Sequence, residues 1–531
     1  MNPSAHVDTF ARDHLPAAAD LPELLFELPE LQFPPRLNAA TELLAKRAVA
    51  GDGDRPCVIG ESVRWTYAEL LAQANRIARV LVEDLGLVPG NRVLLRGANS
   101  PALAACWFGV VKAGGIAVGT MPLLRARELR TIVDKAQVTH ALCDSRLLEE
   151  LDAAAPDCPT LQQRLSFHDG ELEARAAAKP AHFDDVDTAA DDVALIAFTS
   201  GTTGVPKGTM HFHRDLMAAC ACWPPHVLRP TRDDVFIGSP PLAFTFGLGG
   251  LLLFPLAAGA STVLIEKATP DALLPAIARH RATVCVTAPT SYRAMAPQAS
   301  AHDLRSLRKC VSAGEALPAA TRQLWKDATG IEIIDGIGST EMLHIFISAD
   351  EAHARGGATG VPVPGYRAAI LDDDGRELPP GQVGRLAVKG PTGCKYLADD
   401  RQRQYVQHGW NLTGDAYLVD ADGQYVFQAR TDDMIISGGY NIAGPEVEGA
   451  LLAHPAVAEC GVVGVPDPER GQIVKAFVVL RPGHEGDEAM ARELQDFVKR
   501  TIAPYKYPRA VAFRASLPRT ETGKLQRFRL R

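Results

Sequence analysis

The stretch Thr199-Ser200-Gly201-Thr202-Thr203-Gly204-Val205-Pro206-Lys207-Gly208 is the part of this 531-residue chain best suited to chemistry. Gly201, Gly204 and Gly208 let the backbone come close to a ligand and take positive φ. Ser200, Thr202 and Thr203 supply hydroxyl donors, Lys207 supplies charge, and successive backbone N–H groups form an anion nest. That combination is suited to holding phosphates. A kinase or GTPase loop reads GxxxxGK[ST]; counted from Gly201, its second Gly position is occupied by Pro206, which disfavours a phosphotransferase of that kind.

The loop follows an apolar strand predicted over 193–198. Before it, helical spacing over 65–85, 102–113 and 128–136 alternates with short apolar runs at 92–95, 116–118 and 140–143. Strands alternating with helices imply βαβ units and a largely parallel sheet. Residues 156–192 are polar and Ala-rich and read as a surface excursion. A second alternating block is expected to begin with 193–198 and continue through 235–237, 262–265 and 284–286. From about Gly360, turns such as Asp373-Asp374-Gly375 and Asp422-Gly423 separate short apolar runs, predicting a small antiparallel or barrel-like subdomain. From Asp432 onward the pattern predicts a small α+β domain, with helices near 445–453 and 488–501 and strands near 461–465 and 476–480. The expected fold is therefore a large α/β N-terminal domain over 1–431, made of two βα subdomains plus a small β-barrel-like subdomain, and a small α+β C-terminal domain over 432–531.

Composition agrees with a large buried core: 47% of residues are hydrophobic and 22% charged. The length exceeds what one core normally serves. The net charge of −8 argues against nucleic acid as a partner, without excluding anionic ligands at a local basic cluster. Ten cysteines are scattered and no CxxC pair occurs, so reduced thiols are expected, with no zinc or disulfide framework. The N-terminus lacks a basic segment followed by an apolar core. The longest apolar run, 248–260, is too short to span a bilayer. A cytoplasmic protein without a membrane span is expected, as a monomer or homodimer.

The phosphate loop and four later segments, in order and spacing, resemble the adenylate-forming superfamily of acyl-CoA synthetases, luciferases and peptide-synthetase adenylation domains. The later segments are Asp335-Gly336-Ile337-Gly338-Ser339-Thr340-Glu341, Gly409-Trp410-Asn411-Leu412-Thr413-Gly414-Asp415, Arg430-Thr431-Asp432-Asp433-Met434-Ile435-Ile436-Ser437-Gly438-Gly439-Tyr440-Asn441-Ile442, and Pro518-Arg519-Thr520-Glu521-Thr522-Gly523-Lys524. The resemblance implies an ATP-dependent acid–CoA ligase that forms an acyl-adenylate and pyrophosphate, then acyl-CoA and AMP. In such a reaction both partners are anionic and the transition state gains charge on the α-phosphate, so positioned cations and donors matter more than a proton shuttle. Thr199–Lys207 would hold the triphosphate and Thr340 would donate to a phosphate oxygen. Glu341 is a hard oxygen ligand suited to Mg²⁺. The resemblance places Asp415 on the ribose hydroxyls with Arg430 beside it. It places Gly314, Glu315, Asp335, Gly336 and Ile337 around the adenine, and Lys524 on the carboxylate and α-phosphate. It implies rotation of a mobile C-terminal domain about a hinge at Asp432, which brings Ser437-Gly438-Gly439 to the pantetheine arm of CoA. Lys475, Lys506 and Arg509 are expected to face the CoA phosphates.

For the acid, the resemblance puts Phe244 beside the carboxylate, with Thr245, Phe246, Gly247, Thr290, Gly338 and His344 forming the pocket. The wording PPLAFTFGLGG together with DGIGSTEMLHIF resembles the benzoate-CoA ligase branch, including 2-aminobenzoate-CoA ligases. Bulky aromatics at the pocket floor suit a short, flat acid. Thr245 and Phe246 stand where benzoate enzymes of that branch tend to carry a small residue and Tyr, which favours a substituted benzoate such as 2-aminobenzoate. The alternatives are a benzoate- or short-chain fatty acid–CoA ligase, or a stand-alone adenylation enzyme loading a carrier protein.

Overall fold

The structure, a computed structural model, describes all residues except 1–2, 200–205, 432, 438–439, 469, 503 and 520–524, with Ile436, Tyr440, Asn441 and Gly471 described by backbone alone. Local signals build the helices as the sequence dictates. Thr66 and Glu69 form a reciprocal capping box that starts the helix Tyr67–Arg79, whose Leu70, Ala74, Ile77 and Ala78 are buried. Ser100 accepts from the Leu103 N–H and Pro101 occupies the first helical position of Pro101–Lys112.

Two sheets form the bulk of the N-terminal domain. The first runs, in spatial order, Gln163–Phe167, His140–Asp144, Arg92–Arg96, Ile116–Thr120, Val193–Thr199 and Lys207–Phe212. Its neighbours are parallel except the last pair. The second runs Val361–Pro362, Ile345–Ser348, Ile333–Gly338, Lys309–Ser312, Val284–Thr287, Val235–Gly238, Ser261–Val263, Pro56–Ile59 and Arg64–Thr66, parallel at its centre and antiparallel at both edges. A third, antiparallel sheet uses Arg367–Leu371, Gly384–Lys389, Trp410–Val419, Val406–Gln407 and Tyr425–Arg430. The C-terminal domain packs the helices Gly444–Leu452 and Glu488–Thr501 on a sheet containing the long hairpin Val457–Asp467 and Gly471–Leu480.

Two expectations need correction. The strand Val193–Thr199 does not open the second block: it pairs with Ile116–Thr120, Ala117 opposite Leu195, and belongs to the first sheet. Hydrophobic period reports a strand but not its partner, and here the chain stays in the first sheet through one more hairpin. Residues 156–192 are not merely a surface excursion. They contain the edge strand Gln163–Phe167 and the helix Glu171–Ala177, which buries Leu172 and Ala176. An Ala- and charge-rich helix with only two buried residues leaves little periodic signal.

The two domains meet through arginines. Arg293 donates to the carbonyls of Ala458 at 3.0 Å and Val457 at 3.1 Å. Arg519 lies 3.6 Å from Glu315 Oε1 and 3.0 Å from Glu459 Oε2.

Candidate active site

Thr199 stands opposite Lys207 in the antiparallel pair Val193–Thr199 and Lys207–Phe212, so the two ends of the phosphate-type loop are held together. Ser200, Gly201, Thr202, Thr203 and Gly204 lie outside the described residues. Lys207 donates to the Tyr396 hydroxyl at 2.7 Å, and that hydroxyl donates to Glu341 Oε1 at 2.5 Å. Lys207 Nζ is itself 3.6 Å from the same carboxylate oxygen. Burial pushes the Tyr396 phenol well above the ordinary tyrosine range, and the charge of Glu341 adds to this, so it stays protonated and able to donate.

Glu341 and Thr340 sit in the turn between the paired strands Ile333–Gly338 and Ile345–Ser348. His211 Nε2–H donates to the Thr340 carbonyl at 2.8 Å. Burial, with the nearby Lys395 charge, pushes the His211 pKa down to about 4, so the ring is neutral near pH 7. Behind it, Lys395 and Asp215 form a 2.8 Å ion pair whose side chains are 1% and 0% exposed. Asp215 also accepts from the Phe212 N–H at 3.0 Å, and Lys395 donates to the Gly393 carbonyl at 3.0 Å.

The residues expected around the adenine lie along the C-terminal ends of the second sheet's strands, where open α/β sheets bind ligands. Gly314, at φ 92°, and Glu315 follow Lys309–Ser312; Asp335, Gly336 and Ile337 end Ile333–Gly338. Asp335 is buried, and burial pushes its pKa up to about 7, opposed by Arg322. Between the usual carboxylate range and about pH 7 the native state therefore keeps a proton that the unfolded chain has released, so stability falls as pH rises through that window. Thermal midpoints measured at about pH 5 and about pH 8 should differ less in Asp335→Asn than in the parent. An unchanged difference would remove Asp335 as its source.

In the third sheet, Asp415 and Arg430 are cross-strand partners, with Arg430 Nη1 donating to Asp415 Oδ1 at 3.1 Å and to the Thr413 carbonyl at 2.9 Å. Gly414, at φ 76°, leaves the space: a Cβ there would lie 2.6 Å from Arg430 Nη2.

Of the residues expected at the acid, Phe246 and Gly338 adjoin His344, together with Phe254 and Trp223. The His344 ring centroid is 4.4 Å from Phe254, 5.7 Å from Phe246 and 5.8 Å from Trp223. Burial holds the His344 pKa down at about 3, so the imidazole is neutral, and its Nε2–H points to the Phe246 carbonyl at 3.4 Å. Phe244 precedes the short helix Thr245–Leu248, in which Thr245 is buried. A Cβ at Gly247 would lie 2.0 Å from the Pro241 carbonyl oxygen, and one at Gly249 would lie 2.4 Å from His344 Cδ2, so both glycines are required for this close packing. Gly338 is exposed beside the His344 backbone, and Thr290 lies in the first turn of Pro289–Met295, half-buried.

Asp432, Gly438, Gly439 and Lys524 lie outside the described residues. The residues flanking 520–524 are described: Arg519 and Leu525 pair as an antiparallel bridge, and Arg519 faces Glu315. Ser437 is buried. Of the residues expected at CoA, Lys475 stacks 4.9 Å from the Phe477 ring, and the Arg509 N–H donates to the Val474 carbonyl one position away. Lys506 is instead held by both oxygens of Glu446 at 2.6 Å.

The sequence reasoning passed over Tyr396, His211, Asp215, Lys395, Trp223 and Phe254. For His211 a signal existed: Lys207, Thr209 and His211 alternate in one strand and share a face. For Tyr396 and Lys395 none did, because they reach the site from a segment nearly two hundred residues downstream.

The family model for AMP-binding enzymes matches residues 45–396, and that for the AMP-binding enzyme C-terminal domain matches residues 446–524. The chain belongs to the AMP-binding enzyme family. Members of its benzoate branch are similar over nearly their whole length. The benzoate–CoA ligase of Thauera aromatica is 36% identical, covering 95% of this chain and 97% of the relative. The crystal structure of the anthranilate CoA ligase AuaEII in complex with anthranoyl-AMP superposes with a TM-score of 0.91 at 36% identity, over 95% of this chain and 98% of that one. A benzoate CoA ligase from Burkholderia xenovorans LB400 gives 0.85 at 33% identity, over 93% and 100%. By class this AMP-binding enzyme is an AMP-forming acid–thiol ligase. Among its described residues no helix is long and apolar enough to cross a membrane.

Proposed function

We propose that this enzyme is an aryl acid–CoA ligase that forms aryl-AMP and pyrophosphate from ATP, then aryl-CoA and AMP, with 2-aminobenzoate as the favoured acid. The observation that carries this reading is the ring cluster of Trp223, Phe246, Phe254 and His344. It contains Phe246 and His344, two of the residues expected at the acyl pocket, and a Cβ at Gly249 would lie 2.4 Å from His344 Cδ2; bulky rings packed this closely favour a short, flat acid over a long chain. The similarity to benzoate and anthranilate ligases supports the same substrate class. The buried Thr245 offers a hydroxyl for an ortho amino group.

In this reading the 199–207 loop holds the triphosphate, Asp415 takes the ribose hydroxyls, and Lys524 bridges the carboxylate and α-phosphate. The residues fit Mg²⁺. Glu341 is one hard carboxylate beside Lys207 and the expected phosphates. That is the pattern for an ion held largely by substrate phosphates and water, where it neutralises charge on the nucleotide. Domains 1–431 and 432–531 alternate about Asp432, and the Ser437-Gly438-Gly439 face then meets the thiol, with Lys475, Lys506 and Arg509 near the CoA phosphates. The enzyme acts in the cytoplasm as a monomer or homodimer.

The test is ATP–pyrophosphate exchange over a panel of acids, followed by CoA-dependent AMP release. 2-Aminobenzoate is expected to give the highest kcat/KM, with benzoate next and acetate and octanoate far lower. A maximum on acetate or octanoate would overturn the aryl reading. Exchange without thioester formation on free CoA would favour carrier-protein loading.

A further inference from the structure

Tyr396 stands in a short segment that runs as an extra strand against Lys207–Phe212. Met210 N–H donates to the Lys395 carbonyl and Leu397 N–H to the Gly208 carbonyl, both at 2.8 Å, and Thr209 bridges Tyr396. Successive side chains of a strand point to opposite sides. Lys395 accordingly turns inward to Asp215, while Tyr396 turns to Lys207 and Glu341. The Tyr396 N–H donates to Gln402 Oε1 at 2.9 Å, its ring meets Tyr405 edge-on at 5.8 Å, and it is 1% exposed. The phenol is thus fixed from three directions.

Resting on the reading of Lys207 and Glu341 as the phosphate- and metal-facing groups, we infer that Tyr396 is a positioning residue whose hydroxyl keeps these two charges apart and separately available. It accepts from the ammonium and donates to the carboxylate. Lys207 Nζ is already 3.6 Å from Glu341 Oε1. Without the phenolic oxygen the ammonium moves onto the carboxylate and closes a direct, charge-assisted ion pair. That pair sets a full positive charge on the carboxylate a divalent ion needs, where the neutral hydroxyl donating to Oε1 sets none, and it withdraws the lysine from the nucleotide. The hydroxyl therefore prevents a self-inhibited arrangement of the site's own residues.

The inference is tested by binding, with Mn²⁺ as the probe and a non-hydrolysable ATP analogue present, read by electron paramagnetic resonance. Y396F is expected to weaken Mn²⁺ binding about tenfold, the scale of one charge-assisted hydrogen bond. In a K207Q background, where the competing ammonium is gone, adding Y396F should change it by less than about twofold. Thiolysis of an isolated aryl-adenylate by CoA, which needs no phosphate–metal contact, should also stay within about twofold in Y396F. Mn²⁺ binding unchanged in Y396F overturns the inference. An equal loss in the K207Q background overturns it too, because that is the signature of general loosening. A parent that binds no Mn²⁺ with the analogue defeats the metal assignment of Glu341 and this inference with it; parental binding with an unaffected Y396F defeats this inference alone.

Discussion

Lys524→Ala is expected to lower ATP–pyrophosphate exchange by about 10²–10³, the cost of one well-placed charge-stabilising donor, while leaving CoA thiolysis of a supplied aryl-adenylate much less affected. The asymmetry follows from the two half-reactions. In the first, a carboxylate approaches a triphosphate and negative charge accumulates on the α-phosphate, so a cation placed between them acts mainly on the transition state. In the second, a thiol attacks a mixed anhydride that is already activated. The described flanks meet the N-terminal domain: Arg519 bridges Leu525 and lies 3.6 Å from Glu315, one residue beyond Gly314 in the segment expected at the adenine. Rapid-quench measurement of each half-reaction decides the matter. Equal losses in both steps, or full exchange activity in the variant, would remove Lys524 from adenylation.

Lys395→Met is expected to destabilise the N-terminal domain by about 3–5 kcal/mol, the usual cost of removing one partner of a buried ion pair. The partner left behind, Asp215, is 0% exposed and would carry an uncompensated charge beside the neutral His211. Lys395→Met combined with Asp215→Asn should recover much of the loss, since the second change removes the stranded carboxylate. The urea midpoint of the domain's transition, multiplied by its slope, gives the figure. A single variant within about 0.5 kcal/mol of the parent, as for an ordinary surface change, would show that water or rearrangement satisfies Asp215.

How much was legible varied with the range of the interaction. Helices such as Pro101–Lys112 and Glu488–Thr501 carry their caps and periods locally, and the sequence reading located them within a residue or so. The strand at Val193–Thr199 was equally visible, but its sheet was not, because partner choice depends on a residue pair seventy-eight positions apart in sequence, Ala117 and Leu195. The helix Glu171–Ala177 was missed because two buried residues make too weak a stripe. In the site, Lys207, Glu341, Asp415 and Arg430 were nameable from motifs. The phenol linking the first two was not, since the residues around Tyr396 show no spacing that ties them to either.

Family, the two-domain α/β plus α+β plan and the class of reaction are legible in the chain alone. Those depend on short segments whose residue types are dictated by the ligand groups they meet, and such segments remain readable without a fold. The side chains that hold those segments in place emerge from the fold: the Lys395–Asp215 pair, His211 beneath Thr340, the rings of Trp223, Phe246 and Phe254 around a neutral His344, and Tyr396 between Lys207 and Glu341. Each of these joins residues distant in sequence. The neutrality of His211 and His344 and the protonated phenol of Tyr396 follow from burial, which no linear pattern of residue types specifies.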